Sequence, residues 1–214
     1  MRKSTISYRE AAIVAAICFG LFIFWSIEAV FAGFPNARVS DSGFGWMIGL
    51  EITLASVALI YLNARGFDVA SLYPKPSVKG SLLGLGLFVL AWLIGMIAIS
   101  PLSNPSNPQV IEFSHSGLSL SAVVPFAMVN GAFEEVFLLG VLLRGLRGHG
   151  LAVAVGLPLL VRVLYHLYQG PLGAVWVLVF GVTFSLIYVR GLQLWPPVLA
   201  HILWDIVPFM ASAA

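Results

Sequence analysis

The sequence predicts an all-α, polytopic transmembrane helical bundle of about seven spanning helices with a cytoplasmic N-terminus, and three observations carry that prediction. Of the 214 residues, 60% are hydrophobic and only 9% charged, with a mean hydropathy of +0.99, whereas soluble domains are about a quarter charged. The apolar residues fall into runs of about 20, the length that crosses a bilayer. Lysine and arginine collect in the breaks between alternate runs. Because hydrophobicity is continuous rather than alternating, a β-barrel is excluded, and an open sheet would leave its backbone unpaired in lipid.

Each run can be placed in order. The first, 11–33, follows a basic, polar stretch; it is too long for a signal-peptide core and lacks a small-residue cleavage site, so it reads as a retained helix. Its Cys18 is the only cysteine in the chain, which excludes an internal disulfide and leaves a packing role. The second run, 44–64, carries Gly45 and Gly49, and the third, 80–100, carries Gly80 and Gly84, spacings suited to close helix contact. A connection rich in Ser, Asn and Pro, 101–117, leads to the fourth run, 120–143. The last three are 151–168, 172–190 and 194–211, with Pro196 and Pro197 suited to the start of the final helix.

Charge then orients the bundle. Arg2, Lys3 and Arg9 precede the first run, Arg65, Lys75 and Lys79 follow the second, Arg144 and Arg147 the fourth, and Arg190 the sixth. All lie on one side, with only Arg38 in a loop on the other, so the positive-inside rule puts the N-terminus in the cytoplasm and the C-terminus outside. The net charge of +2 therefore needs no acidic partner, and nucleic acid is not an expected ligand.

Ionisable side chains inside apolar helices cost on the order of 3 kcal/mol each at the bilayer centre, so they face the bundle interior and have work to do. Here they concentrate in the C-terminal half: Glu134 and Glu135 in the fourth run, Arg162 and His166 in the fifth, His201 and Asp205 in the seventh. The glutamates lie ~15 Å from the basic boundary at Arg144, near mid-membrane. Neighbouring helical residues point ~100° apart, so one carboxylate faces the site and the other ties to a neighbouring helix. His201 and Asp205, at i and i+4, share one helix face, as do Arg162 and His166. An unpaired Arg162 would be very costly, and Glu135 is its expected partner. Glu28 and Glu51, without companions in their own segments, read as packing or interfacial groups, and His115 and His149 as solvated loop residues.

A paired glutamate on one membrane helix, a histidine near the end of the next, and a later histidine followed four residues on by Asn or Asp resemble the CAAX prenyl protease and bacteriocin-processing (CPBP/Abi) family of glutamate-type intramembrane proteases. The likeness runs over 120–210. It implies an endopeptidase in which Glu134 and His166 activate water and His201 with Asp205 stabilises the oxyanion, Glu135 being the second of the glutamate pair; Arg162, read from its burial cost as the partner of Glu135, supports them. Two positions depart from the family pattern. The usual arginine four residues after the second glutamate is Leu139, and the usual phenylalanine four before the second-motif histidine is Arg162, as though the positive charge had moved to the neighbouring helix.

The reading that follows is a single integral membrane domain, 1–214, with its catalytic half at 120–211, in a bacterial plasma membrane. It hydrolyses a peptide bond of a membrane-associated protein or peptide with no cofactor and no metal. Peptide hydrolysis needs a base for water, donors for the oxyanion and an acid for the leaving amine, and these residues supply all three. Asp205 assists only if protonated, or by holding His201 in the needed tautomer. A zinc-dependent hydrolase would use the same groups as ligands, although HExxH is absent. A proton-coupled transporter or a non-catalytic scaffold would also bury such a cluster. One tension remains: His166 lies ~25 Å along its helix from the loop at His149, whereas Glu134 lies ~15 Å from the basic boundary at Arg144 on the same side, so the fifth helix must tilt or bend at Pro158.

Overall fold

The computed structural model describes residues 3–35, 39–102 and 118–211, the last four by backbone alone; Arg2, Arg38, His115 and nearly all of the 101–117 connection lie outside them. Helices form where the apolar runs predict: α1 Tyr8–Phe31, α2 Asp41–Ala64, α3 Val78–Ile99, α4 Leu120–His149, α5 Leu151–Tyr165, α6 Gly170–Gly191 and α7 Trp195–Ala211. The architecture is all-α, and the one β pairing among the described residues is an isolated bridge between Lys3 and Phe67. Five helices, with α6 counted from Leu167, are long and apolar enough to cross a membrane. At 15 and 17 residues, α5 and α7 are shorter.

The fifth run ends earlier than hydropathy alone suggests. His166 closes α5, a 3₁₀ turn occupies Leu167–Gln169, and Gly170 takes φ +76° before α6 begins. Glycine enters that left-handed region without a steric penalty, and Pro171 is pre-set for the first turn of the next helix. The turn holds His166 at a helix end rather than inside a helix.

The basic ends meet. Lys3 donates its backbone N–H to the Gly66 carbonyl at 2.9 Å, Ile6 to Gly145 at 3.0 Å, and Arg144 Nη2 reaches Ser71 Oγ at 2.7 Å. Trp195 Nε1 donates to Ser81 Oγ at 2.9 Å and so joins the start of α7 to the start of α3 at that same end. Lys3, Arg65 and Arg144, which the positive-inside rule places on one side, therefore lie at one end of the bundle. Glu10 anchors them: it completes a capping box with Ser7 and accepts from Lys3 Nζ at 2.8 Å and Arg65 Nε at 3.0 Å. Ser7→Ala is expected to destabilise the bundle by about 1 kcal/mol, read as a lower unfolding midpoint in detergent.

α4 is the central helix. In its apolar window 67% of residues are buried, against 17–22% in α1–α3, whose outer faces carry exposed Phe24, Ile60, Leu82 and Ile97 as lipid-facing surface does. Over Val136–Leu143, just past the glutamate pair, α4 loosens to π-helical bonding, a local widening frequent at functional sites. α7 packs on both α3 and α4, and α5 on α1 and α6. Gly80 and Gly84 face α7 as their spacing suggests: a Cβ on Gly84 would lie 2.9 Å from the Pro196 carbonyl. Gly45 and Gly49 do not follow suit. Both are exposed with open space around them, so that pair marks no helix contact among the described residues. Cys18 is fully buried beside Phe19 and Val14.

Candidate active site

Two unmarked glycines bring the polar side chains together. Gly131 lets α7 approach α4 until a Cβ there would sit 3.1 Å from the Ile202 nitrogen and 3.4 Å from His201 Cβ. Gly181 does the same for α6 and α5, where a Cβ would meet Arg162 Cδ at 3.0 Å. With no side chain at either point, His201 and Arg162 reach the glutamates of α4.

Glu135 is fully buried and holds two partners through one oxygen: Arg162 Nη2 donates to its Oε1 at 2.7 Å and His201 Nδ1 lies 2.6 Å from the same atom. The Arg162–Glu135 pair expected from the sequence is thus present. Glu134 points the other way, into a cavity. Its Oε2 accepts a short hydrogen bond from the Tyr165 hydroxyl, with Arg162 Nη1 at 3.8 Å and His201 Nε2 at 3.7 Å. His201 Nε2 is also 3.7 Å from Asp205 Oδ1, and Asn130 Nδ2 donates to Asp205 Oδ2 at 2.9 Å. The expectation that Asp205 holds the histidine tautomer is therefore met by a different group: the bond to Nδ1 comes from Glu135. Phe180 of α6 backs the cluster, 5.0 Å from the Arg162 guanidinium and edge-on to His201 at 5.0 Å.

Glu134, Arg162, His166, His201 and Asp205 all line one cavity of about 650 Å³. His166 sits on its wall with Nδ1 at 3.0 Å from the Arg162 carbonyl of its own turn, and it makes no direct bond to Glu134 among the described contacts. Tyr165, next to it, does reach Glu134: because α4 stays helical to His149, Glu134 and Tyr165 lie at similar distances along their helices from that end, and the difference in depth counted from Arg144 disappears.

Three lining residues escaped the sequence reading. Asn130 is one helical turn before Glu134, an i, i+4 relation that was available as a signal. Tyr165 adjoins His166 but reads as an ordinary aromatic. Glu51 of α2, taken as packing or interfacial, is 2% exposed and lines the same cavity. Burial by α4, invisible without the fold, makes the difference.

Glu134, Glu135 and His201 offer ligand atoms within 4.8 Å of one another, a trio that could meet one metal ion. Against that use, the guanidinium 2.7 Å from Glu135 Oε1 already occupies that oxygen and would repel a dication.

No curated protein and no solved structure matches the chain. A family model does: residues 116–207 match that of the Rce1-like proteins, described as type II CAAX prenyl endopeptidase Rce1-like. The chain is thus an integral membrane protein whose region 116–207, holding every polar side chain of the cluster on α4, α5 and α7, matches the Rce1-like family model.

Proposed function

We propose that this protein is an intramembrane endopeptidase that hydrolyses a peptide bond of a membrane-associated protein or peptide with water activated by glutamate and histidine. The observation that carries the reading is the convergence of Glu134, Arg162, Tyr165, His166, His201 and Asp205 on one cavity at membrane depth, inside the Rce1-like region.

Each group has a step. Glu134 takes a proton from the attacking water while its oxygen attacks the scissile carbonyl, and His166, on the same wall, orients that water. Glu135, fixed by Arg162, receives Nδ1–H of His201 and so fixes the ring. Carrying both ring protons, His201 turns Nε2–H towards the carbonyl oxygen and stabilises the charge that grows there. Asp205, tethered by Asn130, faces the same nitrogen and keeps the ring poised. As the C–N bond breaks, the proton held by Glu134 passes to the departing amine and the carboxylate is regenerated. Prenylated C-termini and leader peptides are both substrates the family resemblance implies.

Membrane proteomics of cells with and without the chain tests this directly. Peptide termini present only when the protein is expressed are expected, and identical termini in both would remove the peptidase reading. Tyr165→Phe strips Glu134 of its closest donor and is expected to lower kcat about tenfold and, because a buried carboxylate loses its hydrogen bond, stability by about 1–3 kcal/mol.

The glutamate–histidine trio also favours a second reading, a metal-assisted hydrolase. Activity that survives chelators and purified protein free of stoichiometric zinc are the expected results. Loss of activity to chelator and its return with zinc would select the metal reading.

A further inference from the structure

The cavity holds one carboxylate that the proposed chemistry leaves idle. Glu51 lies in the middle of α2, a helix whose inner face presents Phe44, Met47 and Glu51 to the cavity at i, i+3 and i+7. Its side chain is 2% exposed, and its Oε2 is buried with no hydrogen-bond partner among the described residues. A carboxyl group in an apolar wall without a partner is costly, and a structural role would have supplied one. Glu51 lines a cavity of about 650 Å³, large enough for a substrate side chain.

The surroundings specify which kind. Glu134 and Asp205 line the same cavity as Glu51, so three carboxyl groups line the space. Arg162, the fixed cation among the lining residues, spends its Nη2 on Glu135. An anionic substrate group would be repelled, and a cation would supply the charge that is missing. The wall beside Glu51 is aromatic: Phe44 stacks on Phe126 at 4.3 Å, and Phe22 and Trp25 of α1 complete that side. Rings of this kind take the aliphatic stem of a lysine or arginine and attract its charged head.

Resting on the peptidase reading above, we infer that Glu51 is a specificity-determining residue that binds a lysine or arginine side chain of the substrate peptide within the Phe44–Phe126 wall. An unpartnered carboxyl that serves a ligand rather than the fold has a second signature: its replacement by an apolar residue of similar size leaves the bundle as stable as before, or more so.

The test measures binding in protein that lacks its proposed base. Full-length Glu134→Gln protein in nanodiscs is incubated with two pools of acetylated, amidated octapeptides of randomised sequence, identical except that one carries a single lysine where the other carries norleucine. Retained peptide is counted by mass spectrometry. About tenfold preferential retention of the lysine pool is expected, falling to parity in Glu134→Gln/Glu51→Gln and in Glu134→Gln/Glu51→Met, with unfolding temperatures unchanged or raised. Equal retention of both pools by the Glu134→Gln protein, a lysine preference that persists without Glu51, or retention of neither pool overturns the assignment. Since no turnover is required, such a result leaves the peptidase reading standing, whereas an absence of proteolysis in cells strikes that reading without altering the retention measured here.

Discussion

Glu134→Gln is expected to lower the turnover of reconstituted protein about a thousandfold or more while leaving its unfolding temperature within about 2 °C of the parent. The two halves of that expectation have separate physical causes. A carboxamide cannot take the proton of water, so the general-base contribution, typically 10²–10⁴-fold, disappears. The same carboxamide oxygen still accepts from the Tyr165 hydroxyl, and the remaining cationic neighbours of Glu134 stand off at 3.7 and 3.8 Å. Little of the bundle's stability rests on its charge. A single-turnover assay with a cleaved membrane peptide, run beside thermal unfolding in the same nanodiscs, separates the two. Full activity in the Gln variant removes Glu134 from the base position, and collapse of the fold would show the glutamate to be structural.

Arg162→Leu inverts the pattern: a loss of stability of about 3–5 kcal/mol is expected, with activity lost as a consequence. Arg162 is 2% exposed and Glu135 0%. Removing the guanidinium leaves a buried carboxylate whose Oε2 already lacks a partner, with His201 alone on Oε1. Glu135→Gln in the same protein removes the stranded charge, so the double variant is expected to be more stable than the sum of the single losses predicts, by about 1–3 kcal/mol. Arg162→Lys does not substitute, because one ammonium cannot place separate nitrogens toward Glu135 Oε1 and Glu134 Oε2. Simple additivity of the two single losses, measured by equilibrium unfolding in detergent, would break the link between Arg162 and Glu135. That link gives physical content to the departure at Leu139, since the positive charge beside the glutamates comes from α5.

The helices and their order were legible because hydropathy and charge are local signals summed over about 20 residues. Glu134, Arg162, His166, His201 and Asp205 were legible for a related reason: each is too costly in lipid to be incidental. Asn130 and Tyr165 carry no such cost, and only their distances to Asp205 and Glu134 mark them. Glu51 does carry it, yet stood alone in its segment, and its ionisable company, Glu134, Arg162, His201 and Asp205, lies more than 80 residues away in the chain. Glycine spacing was an uncertain guide. Gly80 and Gly84 meet a helix, Gly45 and Gly49 do not, and the two that shape the site, Gly131 and Gly181, belong to no such pair.

By itself the sequence determined that the chain crosses a membrane, which ends share a side, and which side chains must be hidden from lipid, since each follows from a transfer cost that a residue carries wherever the chain goes. Which nitrogen of His201 meets which carboxylate, that Glu135 rather than Asp205 holds the ring, and that Glu51 faces the same space were decided only by tertiary structure. Those outcomes depend on how closely and at what slant the helices cross, and a packing contact between distant segments leaves no periodic trace along the chain.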